Sequence, residues 1–157
     1  MELDAESAFG SLEFPYFVEK PAPVSRISGI ISCRCRYQGT VLRSGGEKHF
    51  TVAVSTPVST VCPCSKAISE RGAHNQRGVV TVELELGPFF WIEDIISLVE
   101  EAASSPVYSI IKREDEKFIT ERAYDNPKFV EDLVRDVYIK IRDLGQFRRS
   151  LMAHQGF

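Results

Sequence analysis

The chain has 157 residues, 43% of them hydrophobic and 26% charged, the profile of one globular domain whose core is large enough to need no staples. Nineteen Lys and Arg stand against 22 Asp and Glu, a net charge of −3, which argues against a non-specific nucleic-acid binder. No apolar run approaches the ~20 residues of a membrane span, and the acidic start MELDAESAFG is no secretory leader; the sequence therefore reads as cytoplasmic, without a membrane partner and with reduced thiols.

Residues 1–24, with Phe14, Pro15, Tyr16, Phe17, Pro21 and Pro23, read as an extended lead-in docked on the body. From Arg26 to Arg43 the chain is rich in Ile, Cys, Tyr and Val and predicts a strand ending at the Ser44-Gly45-Gly46 turn. His49 to Val58 places Phe50, Val52 and Val54 on one face, a second strand and a hairpin partner for the first. Pro57 to Gly78 has no sustained period and reads as a long loop, the kind that carries function. Val79 to Leu86 alternates again, with Val80, Val82, Leu84 and Leu86 on one side. The period then changes. Ile92, Ile95, Ile96 and Val99 share one helical face. Lys112 to Phe129 reads as a charged connector. Asn126-Pro127 reads as a helix start, with Asn126 as N-cap and Pro127 at the first helical position. Val130, Leu133, Val134, Val137, Ile141 and Leu144 form the stripe of that helix, which Gly145 ends. This order predicts an α+β fold, an antiparallel sheet with two helices packed on one face.

The loop Thr60–Gly78 gathers Cys62, Cys64, Lys66, Arg71, His74, Asn75 and Arg77. Thiolate and imidazole are both good zinc ligands, and Gly72 and Gly78 permit turns that return His74 toward Cys62. The same spacing also fits a buried cysteine beside an exposed histidine. Cys33-x-Cys35 with Cys62-x-Cys64 would give a four-thiolate site. Against it, the first pair sits in a predicted strand, and structural zinc pairs are more often spaced by two to four residues. Glu131, in the first turns of the last helix, is explained as well by the helix dipole as by a binding role.

Four stretches together resemble the type IB GTP cyclohydrolases: FPYFVEKPAPVS (14–25), CPCSKAISERGAHNQRG (62–78), WIEDII (91–96) and KREDEKFITERAYDNPKFVEDLVRD (112–136). The resemblance runs from Phe14 to Leu144. It implies a tunnelling-fold (T-fold) unit over 25–145, assembled as a homo-oligomer with active sites at the interfaces between units. It implies a reaction on GTP, in which carbon 8 of guanine leaves as formate and 7,8-dihydroneopterin triphosphate is formed for folate synthesis. It implies a divalent metal (zinc, manganese or iron) held by Cys62, His74 and Glu116, with Cys62 and His74 catalytic and Cys64 a possible exchange for Cys62. Glu131 matches the carboxylate that anchors the purine ring. Lys66, Arg71, Arg77, Lys112 and Arg113 are the cations available for a triphosphate.

The chain also departs from that family. Its members are usually longer, with two tandem units, and carry a Ser-Ile-His-x-His type segment near the C-terminus. Residues 146–157 read QFRRSLMAHQGF, with Met152 and His154 at the matching places, and are expected to form a tail in place of the closing strands. The alternative is therefore a truncated, non-catalytic T-fold protein that binds metal or serves assembly. Two further T-fold relatives fit less well: the NADPH-dependent nitrile reductase of a deazaguanine, and the archaeal enzyme with a cyclic phosphate product.

Overall fold

The computed structural model describes residues 5–43, 48–85 and 89–144, and the backbone of 150–156. Among the described residues, six strands and four helices follow one another as β1 (Ser7–Pro21), β2 (Ser28–Leu42), β3 (His49–Val61), α1 (Pro63–Ile68), β4 (Asn75–Glu85), α2 (Ile92–Ala102), β5 (Ser105–Pro106), α3 (Arg113–Asp125), α4 (Val130–Asp143) and β6 (Ser150–Gly156). All pairings are antiparallel, in the order β1-β2-β3-β4-β6, with the short β5 on β3.

Period-two patterning explains the sheet. In β2, Ile31, Cys33 and Cys35 point inward, while Arg34 and Arg36 point outward and pair with Glu13 and Glu83. Val52, Val54 and Val58 of β3 and Val80, Val82 and Leu84 of β4 continue the same inner face. Two helices cover it. Ile92, Ile95, Ile96 and Val99 of α2 and Leu133, Val137 and Ile141 of α4 complete one core with the strands. Acidic residues open α4 and basic residues close it, the order that the helix dipole favours.

Five expectations change. Residues 7–21 are not a lead-in docked on the body but an edge strand paired with β2 along its length. The long loop shrinks to 62–74, because β3 runs to Val61 and β4 begins at Asn75. The charged connector is mostly a helix, α3, which buries only Asp115 and Ala123; with so little apolar surface it shows no stripe to read. Asn126 ends α3 as its C-cap, and α4 starts only after Phe129, so the Asn-Pro pair separates two helices instead of opening one. Where a tail was expected, residues 150–156 add a strand to β4. The Ser44–Gly46 turn, Leu86 and Gly145 lie outside the described residues, as do the side chains of Met152 and His154.

Candidate functional site

Cys62 is the N-cap of α1, and Pro63 sits in the first turn, where its missing N–H costs nothing. The returning strand meets it there. The Cys62 N–H donates to the His74 carbonyl at 2.9 Å. Ser65 locks the pair, its hydroxyl donating to the Cys62 carbonyl at 2.9 Å and accepting the His74 N–H at 2.7 Å. Gly72 makes the return possible with a φ of 139°, a value a side chain would oppose. Cys62 is half-buried and His74 exposed. The Ser65 N–H aimed at the sulfur, aided by Cys64, holds the Cys62 pKa below that of an ordinary thiol, against a smaller opposing effect of desolvation. Sequence reasoning missed Ser65. Its signal was a hydroxyl three residues after a helix-opening residue, where local side-chain to backbone bonds form.

The floor of the site is tied down from below. The Val61 N–H donates to Ser104 Oγ at 3.1 Å, and the Lys128 N–H to the Val61 carbonyl at 2.9 Å. Asn126 Nδ2 donates to the Ala103 carbonyl at 3.0 Å. The segment between α3 and α4 is thus pinned beside Cys62, and Glu131, exposed in the first turn of α4, follows directly from it. Lys66 Nζ donates to the Tyr124 carbonyl and lies 4.0 Å from the centre of the Tyr124 ring, so this cation serves the fold.

Glu116 stands elsewhere. It is in the first turn of α3, while Lys66 holds the last turn at Tyr124. Eight residues of helix put the two ~12 Å apart along the axis. Glu116 is exposed, with Arg113 at 3.7 Å, and borders an open hollow of about 740 Å³ with Ile111, Lys112, Arg113 and Glu114. Among the described residues, no three His, Cys, Asp or Glu side chains come close enough together to hold a metal ion. The structure therefore brings Cys62 and His74 together and leaves Glu116 apart.

The four-thiolate site is excluded. Cys33 and Cys35 are fully buried in the core under α2 and α4, and desolvation pushes their pKa values up to about 12 and about 11. Cys64 is exposed. The donor types present still fit a divalent metal: a thiol drawn toward its thiolate, a histidine whose backbone is tied to that cysteine, and an exposed carboxylate on another surface of the same chain.

Residues 1–155 match the family model described as type I GTP cyclohydrolase folE2. The chain belongs to this family. It is 53% identical over 140 residues to the GTP cyclohydrolase FolE2 of Syntrophotalea carbinolica, an overlap covering 89% of this chain and 52% of that protein. It is 51% identical over 142 residues to the FolE2 of Desulfosudis oleivorans (90% and 54% covered). With the FolE2 of Nitrosococcus oceani the identity is 52% over 139 residues (88% and 51% covered). The chain spans about half the length of these curated relatives. Among the described residues no helix is long and apolar enough to cross a membrane.

Proposed function

We propose that this chain carries the catalytic unit of a metal-dependent GTP cyclohydrolase I, which opens the guanine imidazole ring of GTP to give formate and 7,8-dihydroneopterin triphosphate. The observation that carries the reading is the backbone bond between Cys62 and His74, which joins the main chains of two residues with metal-donor side chains at the mouth of one loop. In this reading Cys62 and His74 of one copy and Glu116 of a second copy hold zinc, manganese or iron, and the protein works as a cytoplasmic homo-oligomer. The separation of Glu116 from the other two donors supports a shared site.

A metal held there would act as a Lewis acid and lower the pKa of water toward neutrality. The protein's own side chains do the rest. In this reading His74 also passes a proton as the ring opens. Glu131 accepts the N1–H and 2-amino donors of guanine with its two oxygens, and so fixes which edge of the base faces the site. With Lys66 engaged by Tyr124 and Arg113 beside Glu116, the exposed Arg71, Arg77 and Lys112 are the cations left for the triphosphate.

The second reading is a non-catalytic metal-binding or assembly protein. It is favoured by the lack of three clustered donors on one chain among the described residues. A GTP assay of this chain with added zinc, manganese or iron separates the two. Formate and a fluorescent pterin in equal amounts support the enzyme; bound metal with neither product supports the second reading.

A further inference from the structure

Glu116 is exposed, and among the described residues its ion-pair partner is the surface residue Arg113, in a loose contact at 3.7 Å that does not aim the carboxylate. The residue before it is different. Asp115 is fully buried and spends both oxygens. Oδ1 accepts the N–H groups of Val24 and Ser25, each at 2.9 Å. Oδ2 accepts the Ser25 hydroxyl at 2.6 Å and the Lys112 N–H at 2.9 Å. Only the Lys112 bond is the usual capping contact of a carboxylate at the third position of a helix. The other three reach back to the end of the FPYFVEKPAPVS stretch, which no step of the proposed reaction uses.

That stretch is itself held in one shape. The Ala22 N–H donates to the Ile27 carbonyl at 2.9 Å, closing a turn. Arg26 sits within it at φ 61°, left-handed backbone that a non-glycine residue adopts only when its surroundings impose it. Beyond the turn, Gly29 lies so close to the approach to α3 that a Cβ there would stand 2.3 Å from Ser109 Oγ. The 22–29 segment and the 109–116 segment therefore fit together at two independent points. The Glu116 N–H makes the ordinary first-turn bond of the helix, to the Lys112 carbonyl at 2.9 Å.

We infer that Asp115 and Ser25 are positioning residues, which clamp the first turn of α3 to the 22–27 turn and so fix the direction in which Glu116 presents its carboxylate to the metal. The inference rests on the proposed role of Glu116 as a ligand. Groups bonded directly to a metal's ligand commonly change metal affinity by about 10–100-fold when removed; the clamp bonds the chain beside Glu116 and not its carboxylate, so the lower end of that range is expected.

The test is titration of the metal-free protein with cobalt(II), read by the absorbance of thiolate-ligated cobalt, with thermal unfolding measured in parallel. Ser25→Ala keeps three of the four bonds to Asp115 and is the milder variant; Asp115→Asn is the stronger. Both are expected to weaken cobalt binding by about tenfold or more, while Ser25→Thr, which keeps the hydroxyl, binds as the wild type does. Ile95→Val, a core change in α2 far along the chain from the clamp, gives the effect of lost stability alone and is expected to leave cobalt binding unchanged. If Glu116→Gln weakens binding but Ser25→Ala and Asp115→Asn do not, the clamp is only structural and the inference fails. If Glu116→Gln binds cobalt like the wild type, the ligand assignment fails and the inference with it.

Discussion

The carboxylate of Asp115 and the hydroxyl of Ser25 meet at 2.6 Å inside the protein, joining a helix to a turn from the other end of the chain. Desolvation alone would raise the pKa of Asp115, but the Ser25 hydroxyl and the N–H groups of Lys112, Ser25 and Val24 outweigh it and hold it well below the ordinary carboxylate range.

That shift sets an acid limb. Above the unfolded value of 3.8, Asp115 is ionised in both states and its stabilisation is complete. As pH falls below that value the unfolded chain takes up a proton first, so stability drops until the folded carboxyl also titrates. Urea midpoints measured between about pH 5 and pH 2 are expected to show the gap between wild type and Asp115→Asn narrowing as pH falls. A constant gap would mean that the charge of Asp115 contributes nothing.

Gly29 offers a steric check on the same region. An added methyl meets Ser109 Oγ at 2.3 Å and Ile110 Cγ1 at 3.2 Å, so Gly29→Ala is expected to cost about 1–3 kcal/mol by overpacking. Ser109→Ala removes the nearer atom, and in that background the cost is expected to shrink. Equal costs in both backgrounds, from denaturant midpoints, would place the strain elsewhere.

How much of this was legible in the sequence depends on how each element is held. β3, β4 and α2 bury a regular apolar face, and their periods report it directly. α3 buries one carboxylate and one alanine; hydrogen bonds to Ser25 and Val24 hold its start, and no hydrophobic pattern records bonds made across the chain. Asn126-Pro127 carries a true boundary signal, but such a pair stops a helix as readily as it starts one. Cys62 and His74 were legible as one loop with turn-permitting glycine between them. That Ser65 would lock them, and that Glu116 would stand apart, depends on tertiary placement.

Leu133 is fully buried in α4, between the sheet and α2. Leu133→Ala is expected to cost about 2–5 kcal/mol, as a cavity in a packed core does. Because α4 also carries Glu131, the loss should be read by urea midpoint before any binding measurement. A change well under that range would show that α4 is not tightly seated.

Glu131→Gln keeps the size of the side chain but replaces one acceptor oxygen with a donor. In the proposed role it is expected to weaken GTP binding by about 1–3 kcal/mol, as for a charged hydrogen bond, with metal content unchanged. Unaltered GTP affinity by calorimetry would remove the anchor role and leave Glu131 a dipole partner of α4.

In the proposed site, Cys62 and His74 of one copy share a metal with Glu116 of another. Metal content of purified protein from co-expressed Cys62→Ala and Glu116→Ala chains tests it most directly. Each variant alone is expected to lack the metal. The mixed assembly is expected to recover part of it, at sites where an intact Cys62 faces an intact Glu116. Mixed assemblies that form yet hold no more metal than either variant alone would contradict a site built between two copies.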